Sequence, residues 1–402
     1  MFIAPEYAAG DTGPTSASDV FSFGMSMWCA LVPQGTDHGL GKTDIQIGRA
    51  LDKGRRPPVT ALDPNYVDLI ERCWAAEPSA RPSMVEVGET LRDLVVCSGQ
   101  AQRTPSALVW TTLLQPYHIE ASWEALQYRS QGRMFFSDDI IDTNNPCYRF
   151  AAGIAGSLSN NVQRVVMVGT DVLIVNSFVT LHEAEVNSRA INPALRVQNP
   201  TDTASVAALD RLRQSFIPAV TAPGEPLPSA RLLFAWHGTS PDRVAAVCRD
   251  GLRSLRTTDC GYFGAGSYFA LEAALALRYS RPDPATGECA LILYVISVSQ
   301  AKMITPERDY RRYEDPSTPH LHGFSQYYSG NPTTAVALAP GCDAHFIPVK
   351  YYGNTHPLTG LTTSRNVDNQ AVDESSGEAE GHEIVIGSYH RCIPIAVVYF
   401  RT

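Results

Sequence analysis

The chain has 402 residues, 44% of them hydrophobic, with 41 acidic against 32 basic side chains and a net charge of -9. That length supports two or three cores, and the acidic balance excludes a dedicated nucleic-acid surface. The nine cysteines, Cys29 to Cys392, lack CxxC spacing and read as reduced thiols; the longest apolar run, Ala290 to Val298, is too short to span a bilayer; and MFIAPEYAAG is no signal peptide, so a soluble intracellular protein, cytoplasmic or nuclear, with no membrane contact, is expected.

In the N-terminal part, Tyr66, Ile70 and Trp74 share one helical face, and Met84, Val87, Leu91 and Leu94 share another. Taken alone, these are two ordinary core helices. APEY at Ala4, SDVFSFG from Ser18 and ERCWAAEPSARPSM ending at Met84 resemble the C-terminal lobe of a protein kinase, nearest the tyrosine-kinase-like group. The resemblance implies an ion pair between Glu6 and Arg81, and for Asp19 a role in holding a catalytic loop that this chain does not contain. Phosphoryl transfer needs a Gly-rich phosphate cover, a strand lysine and two aspartates, all upstream of APE. Only three residues precede APE here, so no kinase activity is expected. A start upstream of Met1 is favoured over a retained half-domain scaffold, because such a lobe normally buries one apolar face against the missing parts.

The expected division is 1–97 as a partial, mainly α-helical kinase C-lobe, 98–160 as linker and unassigned segment, and 161–402 as a catalytic domain. Cys97 to Thr104, CSGQAQRT, reads as the linker. VQRVVMVGTDVLIVNSF from Val162 has β-branched character, with a helix expected around Leu181 to Arg189. Further on, LLFAWHG reads as a strand, PDRVAAVCRDGL as a helix ending at Gly251, and CALILYVISV as a buried strand. CDAHFIPV, IVIG and IAVVYF supply further strands, giving an α+β fold around a split antiparallel sheet. The insert Tyr351 to Gly381, polar and then acidic, is expected to be a mobile loop beside Glu383.

Four local phrases carry the chemistry: WHGTS at Trp236 to Ser240, GYFGAGSYFA at Gly261 to Ala270, Tyr279, and EIVIG from Glu383. Singly they are bland: a strand-end histidine, core aromatics around a short helix, a solvated strand-entry carboxylate. Together, and in this order, they resemble the catalytic domain of the poly(ADP-ribose) polymerase family, the diphtheria-toxin-like ADP-ribosyltransferases, from about Asn161 to the C-terminus. Both the Val162 stretch and ALRVQNP at Ala194 to Pro200 resemble the strand that opens that domain, and the residues leave the choice open.

The resemblance implies an ADP-ribosyltransferase fold with NAD+ as substrate. The family's His-Tyr-Glu signature falls on His237, Tyr268 and Glu383. His237 would hold a ribose hydroxyl, the backbone of Gly238 the nicotinamide carboxamide, and Tyr268 and Tyr279 the two faces of the ring. Thr239, Tyr262 and Phe269, within the same motifs, complete the expected cofactor-binding set. Glu383 would bind the ribose 2'-hydroxyl and stabilise positive charge as the glycosidic bond breaks. Two positions depart from the family pattern. Ala276 replaces a serine that donates to the carboxamide, and Ala265 replaces a cation inside the glycine pair. The expected function is NAD+-dependent transfer of ADP-ribose to protein side chains with release of nicotinamide. The alternatives are an NAD or ADP-ribose-binding docking module and the C-terminal part of a larger two-headed signalling protein. Acceptor identity, chain length of the product and oligomeric state are not legible. His320, His322 and His345 lack ligand-spaced partners and read as surface or loop histidines, so no metal is expected.

Overall fold

The computed structural model describes residues 3–8, 13–33, 36–60, 62–97, 114, 117–130, 133–191, 200–218, 229–252, 261–312, 323–331, 334–353 and 369–401. The chain divides into two compact units, Met1–Gln102 and Arg103–Thr402. No described helix is long and apolar enough to cross a membrane.

The first unit is helical, with α1 (Pro5–Ala8), α2 (Ser16–Leu31), α3 (Asp44–Asp52), α4 (Pro64–Cys73) and α5 (Met84–Cys97). Thr15 and Ser18 exchange side-chain and backbone bonds in a capping box that starts α2, and Asp63 caps α4 ahead of Pro64. Phe21, Met25 and Trp28 of α2 share a core with Leu69 and Ile70 of α4. The expected faces hold, except that Met84, the first residue of α5, stands exposed while Val87 is buried and Leu91 and Leu94 pack on the core. Arg81 meets Glu6 in a forked pair, Nη1 to Oε1 at 2.5 Å and Nη2 to Oε2 at 3.0 Å, and also donates to the carbonyls of Ala17 and Ala75. Those bonds from Arg81 hold the Glu6 carboxyl below its ordinary range.

The second unit is built on one sheet. Its strands are β1 (Phe135–Phe136), β2 (Val162–Gly169), β3 (Arg231–Thr239), β4 (Ser267–Ala270), β5 (Glu288–Val298), β6 (Ala301–Met303), β7 (Ala344–Tyr351), β8 (Asn369–Ala371), β9 (Gly381–Ile386) and β10 (Cys392–Arg401). Their order is β1-β2-β10-β5-β3-β4-β9-β7-β6, with β8 on β7. The pairings are antiparallel except for β6 with β7, which is parallel and departs from the all-antiparallel expectation. The split is visible in the register. β3 pairs with β5 from Arg231↔Val298 to Thr239↔Ala290, but with β4 only at Trp236↔Ala270. Along β5, Leu291, Leu293 and Val295 enter one core while Ala290, Ile292, Tyr294 and Ile296 enter the other. Burial on both faces is why this strand reads as an unbroken apolar run.

Around the sheet lie α6 (Glu120–Ser130), α7 (Pro146–Ile154), α8 (Val172–Ile191), α9 (Thr203–Ser215), α10 (Val244–Asp250), α11 (Ala273–Leu277) and α12 (Pro306–Asp309). The segment expected as linker and unassigned contributes structure to this unit: Trp123 of α6 and Phe150 and Ala151 of α7 join the core of Leu293, and β1 pairs with β2. The β-branched run from Val162 is a strand only to Gly169. Asp171 then accepts a bond from the Leu173 amide at 2.9 Å, and α8 starts well before the expected Leu181. Val175, Phe178 and Val179 fall on its buried face, so packing at helical spacing overrides β-branched propensity. The alternative opening strand lies largely in residues 192–199, outside the described residues.

Candidate active site

Beyond the single rung Trp236↔Ala270, β3 and β4 part, and His237 bridges the fork: its Nδ1 lies 3.0 Å from the carbonyl oxygen of Tyr268. A carbonyl only accepts, so Nδ1 carries the proton and Nε2 is left as an acceptor. Burial pushes the His237 pKa down, against the opposing effect of the Tyr268 carbonyl, and keeps the ring neutral near neutrality.

The next residue is Gly238, and its place admits nothing larger. A Cβ there would stand 2.1 Å from the carbonyl oxygen of Ala276 and 3.1 Å from Cβ of Tyr279. The end of α11 therefore rests on the strand backbone. Thr239 fixes this docking, because its carbonyl accepts from Ser280 Oγ at 2.9 Å while that oxygen takes the Ala290 amide at 3.0 Å.

Tyr268 closes the Gly-rich loop. Its hydroxyl accepts from the Phe263 amide and donates to the Gly264 carbonyl, each at 2.8 Å. From the other side His345 donates through Nδ1 to the Phe263 carbonyl at 2.7 Å and accepts through Nε2 from the Ala339 amide at 2.8 Å. His345 is fully buried, and burial pushes its pKa down to about 4. This corrects the expectation of a surface or loop histidine: it is a core acceptor beneath the loop. His320 and His322 lie outside the described residues, among which no cluster of three metal-ligating side chains occurs.

Glu383 is the third residue of β9, opposite Ala270 of β4 and Ile347 of β7, and is 6% exposed. It is thus a buried strand residue and not a solvated strand-entry one. Tyr279, half-exposed just past α11, donates its hydroxyl to Glu383 Oε1 at 3.2 Å. Asn369 of β8 donates through Nδ2 to the same oxygen at 2.7 Å and to the Tyr279 hydroxyl at 2.7 Å. Among the described residues its Oδ1 is buried without a hydrogen-bond partner, at a cost of about 1–3 kcal/mol.

Contacts therefore link Tyr268 to His237, Gly238 to Tyr279, and Tyr279 to Glu383. Two expected cofactor residues are taken up by packing contacts. Phe269 turns from Tyr268 to the second core, edge-on against Tyr294 at 5.1 Å and against the His237 ring at 6.0 Å. Tyr262 gives its hydroxyl to Gln370 at 2.8 Å and packs its ring on Phe263 and Tyr328. Strand alternation explains Phe269: neighbours of Tyr268 must face away from it.

The sequence reading missed the far end of the insert. Residues 354–368 lie outside the described residues, but β8 pairs with β7 at Val349↔Ala371 and Tyr351↔Asn369. Its acidic part is not simply solvated. Glu374 meets His382 Nε2 at 3.0 Å, while Glu272, beside α11, takes the His382 amide and Nδ1 at 2.8 Å. Burial disfavours the Glu272 charge, but His382 outweighs it and holds the carboxyl below its ordinary range. An asparagine in a polar insert carries no signal of its own; only the β7 pairing brings Asn369 to Glu383.

The poly(ADP-ribose) polymerase catalytic domain family matches residues 174–332, and the protein tyrosine and serine/threonine kinase family matches residues 1–91. His237, Tyr268 and Tyr279 fall inside the first match, and Asn369 and Glu383 beyond it. Probable serine/threonine-protein kinase drkD of Dictyostelium discoideum is 36% identical over 90 residues, 21% of this chain and 6% of its own length. Receptor-interacting serine/threonine-protein kinase 3 of Rattus norvegicus is 34% identical over 91 residues, 20% of this chain and 19% of its own length. Cyclic GMP-binding protein C of Dictyostelium discoideum is 31% identical over 147 residues, 36% of this chain and 5% of its own length. The chain spans less than a fifth of the length of each of these relatives. Among solved structures, the TASOR pseudo-PARP domain aligns at 12% identity with a TM-score of 0.34, covering 67% of this chain and 98% of that one. The chain carries a kinase-like segment at residues 1–91 and, at residues 174–332, a match to the poly(ADP-ribose) polymerase catalytic domain.

Proposed function

We propose that the second unit is an NAD+-dependent protein ADP-ribosyltransferase, breaking the nicotinamide–ribose bond and joining ADP-ribose to a protein side chain. The observation that carries this reading is the buried Glu383 held against Tyr279, whose backbone end abuts Gly238. Nicotinamide would sit between Tyr268 and Tyr279, with its carboxamide on the Gly238 backbone, and His237 Nε2 would accept from a ribose hydroxyl. As the C–N bond breaks, its electron pair leaves with nicotinamide and the ribose gains oxocarbenium character. Glu383, accepting from the 2'-hydroxyl, stabilises that charge more than it stabilises bound NAD+. The acceptor's nucleophilic atom then bonds to the anomeric carbon and gives up its proton.

Incubation with labelled NAD+ tests the reading, comparing the wild type with Glu383→Gln and Tyr268→Ala. Label that depends on both residues is expected, as a discrete band for single transfer or a smear for polymer. Labelling unchanged by Glu383→Gln overturns it. A second reading, a module that binds NAD or ADP-ribose without turnover, draws on Ala276, which offers the carboxamide no hydroxyl; binding without label would favour it. The kinase likeness of residues 1–91 supports a further proposal, that this chain is part of a longer signalling protein with both activities.

A further inference from the structure

We propose that Asn369 is the positioning residue of Glu383: its side-chain amide fixes the carboxylate and the Tyr279 hydroxyl in one geometry for the reaction. The inference rests on the transferase reading for what the carboxylate does, but the arrangement of donors stands on its own. One amide nitrogen uses both hydrogens, one to Glu383 Oε1 and one to the Tyr279 hydroxyl, while that hydroxyl donates to the same Oε1. Three atoms thus close a ring of hydrogen bonds, and rotating any member breaks two of them. The amide cannot be turned the other way, because its oxygen would face an ionised carboxylate, which only accepts.

The placement is built and not incidental. Asn369 lies on β8, and the next residue, Gln370, accepts through Oε1 from Tyr262 at 2.8 Å and Tyr310 at 2.9 Å. The Ala371 amide donates to the Tyr310 hydroxyl at 2.7 Å. Beyond β8, Glu374 meets His382, the residue before Glu383. The short strand is therefore anchored to the Gly-rich loop through Tyr262 and to β9 through His382. A residue serving only to fill this space would be apolar, yet Asn369 is buried with Oδ1 unmatched among the described residues. Among the described residues, the titratable groups set against Glu383 include Tyr279 from the end of α11 and Tyr310 from the end of α12, while His382, next to it on β9, turns to the other face of the strand and meets Glu272 and Glu374.

The test uses the full chain with Asn369→Leu, which keeps the branch at Cγ and removes both donors, and Asn369→Asp, which sets a second carboxylate against Oε1. Three readouts are taken: thermal unfolding, kcat and KM for NAD+ across pH, and the titration of the Glu383 carboxyl by 13C NMR on glutamate-labelled protein. The Glu383 signal is assigned by its disappearance in Glu383→Gln. Asn369→Leu should remain folded, lose about tenfold or more in kcat with KM little changed, and move the Glu383 titration to higher pH, because donors to the charged form are gone. Asn369→Asp should raise the acid limb of the kcat profile further, as two adjacent carboxylates share a proton. A Glu383 titration and kcat that stay at wild-type values in folded Asn369→Leu overturn the proposal. If the wild type does not turn over NAD+, the transferase reading fails, and an unmoved titration would still overturn the positioning of Glu383.

Discussion

Two carboxylates, the partly buried Glu6 in one unit and the buried Glu383 in the other, show how the same side chain is put to different uses. Glu6 faces a guanidinium, which neutralises it through two parallel bonds and ties the chain's start to the turn after α4. Glu383 faces a phenol and a carboxamide, which orient a carboxylate without neutralising it. An ion pair of the first kind is a strut, and removing one partner strands the other. A carboxylate of the second kind is aimed, which is what stabilising a transient cation requires.

The largest effect should come from breaking the strut. Arg81→Ala should cost the N-terminal unit about 3–5 kcal/mol in urea denaturation while turnover of NAD+ per folded molecule stays unaltered. Glu383→Gln should do the reverse, lowering turnover by about 10²–10³-fold with melting temperature and NAD+ affinity little changed, as followed by single-turnover kinetics and calorimetry. A fall in melting temperature with unchanged chemistry would make Glu383 a strut as well.

His345 sharpens the contrast, being a buried titratable group neutral in its working state. Its folded pKa, about 4, lies below the ordinary histidine value, so the unfolded chain takes up the proton first. Its contribution is whole above the ordinary value and falls as pH drops toward about 4, the loss reaching about 3 kcal/mol by then. Protonation would set an N–H of His345 against the Ala339 N–H and loosen the Gly-rich loop. Denaturation of the second unit between those limits should show this slope, and His345→Gln should flatten it. The smallest effect is Ala276→Ser: one recovered neutral hydrogen bond should tighten NAD+ binding about five- to tenfold by calorimetry.

Much of this was legible in the chain because it is local. The β5 apolar run, the Gly251-terminated helix and the motifs carrying His237, Gly238, Tyr268 and Tyr279 each announce themselves within a few residues, whereas the Glu6 and Arg81 pair, 75 residues apart, was legible only through the kinase-lobe resemblance. What was not legible depends on distant pairing. Nothing near Asn369 distinguishes it from other polar residues of its insert, and His345 looks like a loop histidine until β7 is placed under the Gly-rich loop. Reading a motif as a unit also hides that Phe269 lies on the other strand face from Tyr268, since alternation along a strand sends adjacent side chains to opposite faces. The early start of α8 was hidden because β-branched residues on its buried face imitate a strand.

The lone rung between Trp236 and Ala270 leaves a mechanical signature. On its two sides the sheet is stitched along whole strands, so each half is expected to move as a plate, and the slit between them is where little backbone bonding resists separation. His237 belongs to one plate and Glu383 to the other. Separation of the plates would widen the gap between the His237 imidazole and the Glu383 carboxylate without melting a single strand, and amide exchange is expected to be faster along that slit than within either plate.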